Sequence, residues 1–159
     1  MFKKIAIAAA LATLAGSSFA APQGPFYAGV DVGATQIHAD DSDTSYGGFV
    51  GYRFNQNVAV EAGYRRLGQW DFGVSGYKVD QASLSAVGTL PLSNGFNVYG
   101  RLGYNNLDAS GKYVSGSESN VLYGVGVGYD FGGNIAGRVE VQKPSGAFTN
   151  VGVSVLYSF

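Results

Sequence analysis

The sequence contains no cysteine, which excludes disulfides, thiolate nucleophiles and zinc–thiolate centres. Histidine occurs once, at His38, and there is no metal cluster and no phosphate-binding loop. Charge is scarce: 13% of the 159 residues are charged and the net charge is −1. A chain this far from basic has no electrostatic footprint for nucleic acid. Past residue 20 there is no apolar run of about 18 residues, so no transmembrane helix is expected there. Proline is rare and stays out of the way. Pro22, Pro25 and Pro144 lie outside the expected strand interiors, and Pro91 sits near a strand end where a missing donor costs little.

What is present is equally uneven. Aromatics make up 14% of the chain and glycine supplies 25 residues, while the hydrophobic fraction, 46%, is ordinary for a soluble protein. The chain therefore lacks surface charge without gaining a larger core. A barrel in lipid has that composition, because its outside must be apolar and its narrow inside takes small and polar residues.

The N-terminus has the parts of a secretory signal. Lys3 and Lys4 form a positive start, and Ile5 to Ala15 form an apolar stretch of roughly a dozen residues, too short to span a bilayer. Ser18-Phe19-Ala20 places small residues where a signal peptidase reads. The expectation is a signal peptide over residues 1–20, cleaved after Ala20, and one β-barrel domain over residues 21–159. Loss of Lys3 and Lys4 takes the net charge from −1 to −3.

After Ala21 the dominant period is two. Val151, Val153, Val155, Tyr157 and Phe159 are apolar at every second position, with Gly152, Ser154, Leu156 and Ser158 between them. That is a strand with one apolar face and one mostly small or polar face. The pattern recurs eight times, at Phe26–Gln36, Ser45–Asn55, Val58–Gly68, Tyr77–Leu92, Phe96–Leu107, Asn120–Phe131, Ile135–Gln142 and Asn150–Phe159. Most are near the length of about 10 residues that a tilted strand needs to cross a bilayer. Asn55-Gln56-Asn57, Ser93-Asn94-Gly95 and Gly132-Gly133-Asn134 read as tight turns, built from residues that tolerate positive φ. The other connections, around His38–Asp43, Gln69–Gly76, Asp108–Glu118 and Lys143–Thr149, read as longer polar loops. Short turns at one end and longer loops at the other predict an all-β, eight-stranded, antiparallel, up-and-down transmembrane barrel, with periplasmic turns and extracellular loops. A soluble sandwich or lipocalin-like barrel would need a charged outside, and the charges are too few to cover one.

The apolar parity points to lipid. It carries Val30, Val32, Val60, Leu84, Val98, Leu102, Val125, Val127, Val139, Val153 and Val155. Phe26, Phe54, Phe96, Phe131 and Phe159 would form one aromatic girdle, and Tyr46, Tyr64, Tyr104 and Tyr123 the other. The opposite parity points into the lumen and holds Asp31, Glu61, Asp130 and Glu140 with Arg53, Arg65, Arg101 and Arg138. Glycines fill much of the remainder. Since side chains can fill an eight-stranded barrel, arginines reaching over glycines to carboxylates would plug it.

Four stretches carry a resemblance. Gly48-Phe49-Val50-Gly51-Tyr52-Arg53-Phe54-Asn55 followed by Val60-Glu61-Ala62-Gly63-Tyr64 is similar to the second hairpin of the outer-membrane protein A transmembrane domain. Phe26–Gly33, Tyr99–Gly103 and Ile135–Glu140 resemble its first, fifth and seventh strands. The resemblance implies an eight-stranded outer-membrane barrel with a lumenal Glu–Arg network, matched here by Glu61, Arg101, Arg138 and Glu140. Val87 stands where the family has a lumenal lysine, and Gly128 where it has a lumenal glutamate. One ion-pair arrangement of the family is therefore missing, so a family-type gating switch does not follow from the resemblance. The 159-residue sequence ends at Phe159, so the expectation from it is the barrel alone, without the periplasmic peptidoglycan-binding domain of the full-length family. Val155, Tyr157 and Phe159 resemble the C-terminal signal read by the barrel-assembly machinery.

A catalytic reading would rest on His38 beside Asp40, Asp41, Ser42 and Asp43. A histidine, carboxylate and serine can activate a nucleophile, but these lie adjacent in one polar loop, whereas a triad needs fixed geometry. The same aspartates lack the glycine and distal glutamate of an EF-hand. The expectation is therefore no catalytic residues, no metal and no cofactor. The protein is read as a monomeric outer-membrane barrel with a structural or surface-interaction role and at most a narrow or gated pore. Its partners would be outer-membrane lipids and lipopolysaccharide, the assembly machinery, and a surface ligand held by the loops. The competing readings are a porin-type diffusion channel and a lipid-modifying enzyme using His38.

Overall fold

Strict alternation over this length leaves the chain little choice but extended structure, and the computed structural model, which describes residues 24–38, 41–72, 75–111, 115–146 and 148–159, contains eight strands. They are β1 (Phe26–His38), β2 (Asp41–Arg53), β3 (Val58–Phe72), β4 (Ser75–Pro91), β5 (Phe96–Gly111), β6 (Ser115–Gly132), β7 (Ile135–Lys143) and β8 (Thr149–Ser158). Each pairs antiparallel with its sequence neighbours, and β1 pairs with β8, so the sheet closes into a barrel. Closure pairs the strand edges over the height that all eight strands share, a requirement in hydrocarbon, where water cannot complete the backbone bonds.

The tight turns form as their residues dictate. Asn94 (φ 60) and Gly95 (φ 81) both take the left-handed region, giving a two-residue hairpin of the primed type. Between β6 and β7, Gly132 (φ 91) and Gly133 (φ 63) also take the left-handed region, Gly132 at a register shift opposite Ile135 and Gly133 in the turn itself. Between β2 and β3, the Asn55 side-chain oxygen accepts from the N–H groups of Asn57 and Val58 at 2.8 and 2.9 Å. At this end the chain also closes on itself, where Phe159 N–H donates to Phe26 O at 3.0 Å.

The register fixes the tilt. A path along the hydrogen-bonding direction runs Gly128, Arg138, Ser154, Asp31, Gly47, Arg65, Gln81, Leu107, and returns to β6 at Glu118 instead of Gly128. The stagger is ten residues, and a barrel closed with such a shear has strongly inclined strands.

The strands differ from the expected ones at the loop end. Residues 69–72, 75–76, 108–111 and 115–118, expected in loops, continue the ladders of β3 to β6. His38, expected in the first loop, ends β1 and faces Asp41 across the ladder. Backbone pairing wins because two polar strands already in register gain a bond per residue by continuing. The wall is therefore uneven. β4, β5 and β6 have 17, 16 and 18 residues, whereas β7 and β8 have nine and ten.

The outward face is apolar throughout its middle. Val30, Leu102 and Val125 are each more than 60% exposed, and Leu84, Val32, Val127, Val139 and Val155 share that face. A soluble monomer rarely exposes so large a contiguous apolar surface. Phe26, Phe54, Phe96 and Phe159 ring the tight-turn end, and Tyr46, Tyr64, Tyr104 and Tyr123 ring the other. One charged pair breaks the expectation that charge stays on the inner face. Arg66 Nε donates to Asp80 Oδ1 at 2.7 Å on the outside, directly across the β3–β4 ladder, at the height of Tyr46. A cross-strand pair near the interface keeps both groups within reach of water and headgroups.

Candidate functional site: the lumen

The lumen is filled in layers, from the tight-turn end upward along β3: Ala59, Glu61, Gly63, Arg65, Leu67. The charged layer is centred on Glu61, which is 1% exposed. Arg138 Nη1 donates to its Oε1 at 2.5 Å, Arg101 donates to its Oε2, and the Tyr27 hydroxyl donates to Oε1 at 2.6 Å. Glu140 accepts from the Tyr99 hydroxyl at 2.8 Å. Its Oε1 also lies 3.1 Å from Arg101 Nε, an ion contact without hydrogen-bond alignment. Arg101 thus bridges the two glutamates, and a buried charge left unpaired would be costly.

The other expected lumenal charges lie above and below this centre. Arg65 Nε donates to Asp31 Oδ1 at 2.7 Å one layer up. Arg53 sits below, donating to Ser158 Oγ at 2.8 Å, with its guanidinium 4.3 Å from the Tyr27 ring centre. Asp130 lines a cavity of ≈ 940 Å³ at the tight-turn mouth, together with Arg53 and the lower side of Arg138. Of the eight charges, Glu61, Arg101, Arg138 and Glu140 share ion pairs at the centre, Asp31 and Arg65 form a pair one layer up, and Arg53 and Asp130 line the mouth below.

Aromatic rings, more than arginines, explain three lumenal glycines, Gly29, Gly51 and Gly126. Tyr27, Gly51 and Glu61 lie in one hydrogen-bonded row across β1, β2 and β3. A Cβ on Gly51 would stand 2.1 Å from the Tyr27 ring. Tyr99, Gly126 and Glu140 repeat that row across β5, β6 and β7, with a Gly126 Cβ 2.5 Å from the Tyr99 ring. Each glycine opens the space through which a phenol reaches a carboxylate two strands away. Asp31 and Arg65 meet over Gly47 in the same fashion. Tyr27, Tyr99 and Phe49 were not singled out from sequence, although the signal was there: each is an aromatic on the glycine parity. Phe49 is buried with its ring over Gly29.

Above the charged centre lies a layer of amides and hydroxyls. Asn150 Nδ2 donates to Ser45 Oγ at 2.6 Å and Thr35 Oγ1 at 2.9 Å, and its Oδ1 accepts from Gln142 and Arg65, each at 3.3 Å. Above that, Leu67, Val79 and Leu107 form an apolar cluster with Phe148 packed against it. Phe148 arrives there because the β7–β8 connection folds inward. Pro144 is fully buried, and its carbonyl accepts from Asn105 Nδ2 at 2.9 Å inside the barrel. These apolar lumenal residues also depart from the polar interior expected from alternation.

The His38 reading gains no geometry. Residues 39 and 40, and the side chains of His38, Asp41 and Ser42, lie outside what the structure describes, as does the expected signal peptide. Among the described residues no group of three His, Cys, Asp or Glu could hold a metal ion.

A closed antiparallel barrel, apolar outside and ion-paired inside, defines an integral outer-membrane β-barrel protein. The sequence matches the outer membrane protein beta-barrel domain family over residues 6–159, and the chain belongs to that family. Outer membrane protein A of Salmonella typhi is 31% identical over 187 residues, covering 94% of this chain and 53% of the relative. That of Escherichia coli O157:H7 is 30% identical over 158 residues, covering 87% and 46%. The chain thus spans about half the length of these relatives. Among solved structures, Neisserial surface protein A superposes with TM-score 0.66 at 15% identity, covering 87% of this chain and all of that one. The N-terminal barrel of Pseudomonas aeruginosa OprF gives 0.59 at 17%, covering 86% and 99%. Ail of Yersinia pestis, solved with the heparin analogue sucrose octasulfate, gives 0.57 at 16%, covering 84% and 96%. The protein is a multi-pass β-barrel of a Gram-negative outer membrane.

Proposed function

We propose that this barrel serves the outer membrane as a structural and surface-interaction element with a lumen that is closed at rest, and that it catalyses no reaction. The observation that supports this is side-chain packing inside the barrel at two heights. The Glu61–Arg101–Arg138–Glu140 ion pairs occupy the lower lumen, and Leu67, Val79 and Leu107 pack with Phe148 toward the upper mouth. An ion would have to break buried charge pairs and then cross an apolar constriction. The Asp31–Arg65 pair and the neutral amide layer between these blocks offer no excess charge to favour either sign of ion.

The remaining surfaces fit this role. The apolar band meets lipid, the tyrosine girdle with Arg66 and Asp80 meets lipopolysaccharide headgroups, and the long β3–β6 hairpins face outward to carry a surface ligand. Val155, Tyr157 and Phe159 point outward from the last strand, where the assembly machinery can read them. The barrel acts as a monomer after signal-peptide cleavage. Single-channel recording in planar bilayers tests the central point. Rare, small, weakly selective openings are expected. A large, steady, selective pore would overturn the closed-lumen reading and establish a diffusion channel.

A further inference from the structure

β6 has 18 residues and β7 only nine, and the ladder between them begins at Tyr123 opposite Lys143. Above that point, from Ser115 to Leu122, β6 is bonded to β5 on one side, and no described residue pairs with its other side. The sequence creates this edge at Pro144. Proline has no N–H to continue a ladder. The chain turns inward instead, where the Pro144 carbonyl accepts from Asn105. The result is an eight-residue strand edge standing above the low part of the wall.

Natural proteins guard such edges with proline, a bulge or charged side chains, lysine above all, and Glu118 is the one charge on this edge. Ser115-Gly116-Ser117-Glu118-Ser119-Asn120-Val121-Leu122 contains neither proline nor lysine, and its register with β5 is unbroken. Lys143 stands at the foot of this edge, opposite Tyr123, and the charge above it is acidic. In the paired stretches Asn105–Ser110 and Ser115–Asn120 the charged residues are Asp108 and Glu118, both exposed. Asp108 is opposite Ser117, one step from Glu118, so the two carboxylates point to opposite faces of the sheet.

We propose that the β6 edge from Gly116 to Leu122 is a docking site for an extended basic segment of another protein, which adds to the sheet as one more strand. Main-chain hydrogen bonds hold the segment, and Asp108 and Glu118 select positive side chains on either face. This rests on the surface-interaction reading above and gives it a place.

The test uses the full barrel in lipid nanodiscs and two synthetic peptides of alternating threonine and lysine, eight residues long. One is unmodified. The other is N-methylated at every backbone amide, so it keeps the charge and loses every donor. The unmodified peptide should shift the amide resonances of Gly116–Leu122 and slow exchange at alternate residues there; the methylated one should not. Asp108→Lys with Glu118→Lys should weaken binding about tenfold at low salt, while the barrel stays folded. Equal binding of both peptides would reduce the effect to charge adsorption and overturn the proposal. So would no binding, or protection centred on another strand. Conductance recorded on the same preparation keeps the two readings apart, since a steady pore sinks the closed lumen without touching the β6 edge.

Discussion

Tyr27 donates its hydroxyl proton to Glu61 Oε1 at 2.6 Å although the two residues lie on strands that do not pair, with Gly51 of β2 between them. Tyr99 reaches Glu140 over Gly126 in the same way, on the other half of the barrel. The halves then diverge. Arg101 and Arg138 come from β5 and β7, and both turn to Glu61, so the C-terminal half supplies the cations for a carboxylate of the N-terminal half. The charged centre therefore ties strands that are far apart in sequence and not adjacent in the sheet.

Gly51→Ala should displace the Tyr27 ring and break its bond to Glu61, costing about 1–3 kcal/mol as overpacking in a filled interior. Gly88→Ala is the control, because a Cβ there meets nothing within 4 Å. Reversible urea unfolding in lipid should separate the two variants; equal stability would show that the lumen has room the packing does not suggest.

Arg138→Ala leaves Glu61 with Arg101 and Tyr27 alone. Removing one partner of a buried pair typically costs about 3–5 kcal/mol, and water entering from the ≈ 940 Å³ mouth cavity lowers that. A double-mutant cycle should show strong coupling of Arg138 to Glu61 and weaker coupling to Glu140, since Arg138 bonds the former at 2.5 Å. Stronger coupling to Glu140 would reverse the assignment of partners.

Opening the lumen should require both blocks to be removed. Arg138→Ala alone leaves the apolar mouth, and Phe148→Ala alone leaves the ion pairs. Each single variant should raise opening frequency modestly in planar bilayers, and the double variant should exceed the sum of the two. Full conductance in Phe148→Ala would mean that the charged centre is no barrier.

Val139, 51% exposed and midway along β7, faces lipid. Val139→Arg should destabilise the barrel by about 2–4 kcal/mol if it lies at the bilayer midplane. Ser119→Arg, exposed on β6 above the β7 ladder, should be tolerated. Similar cost at both sites in equilibrium unfolding would contradict the placement of the membrane band.

The sequence by itself determined the strand number, the two faces and the turns. A period of two assigns each side chain to lipid or lumen without knowledge of any neighbour, and Asn94-Gly95 and Gly132-Gly133 close hairpins by their own backbone preferences. Tertiary structure decided the partners. Parity places Glu61, Arg101 and Arg138 inside but says nothing of their height or angle around the axis. Those follow from the ten-residue stagger, a property of the closed ring of eight ladders that no single strand carries. The inward fold of the β7–β8 connection was illegible for the same kind of reason. Phe148 reads as one apolar residue in a polar loop until the short β7 and β8, beside the taller β3–β6 wall, leave Leu67, Val79 and Leu107 uncovered for it to pack against.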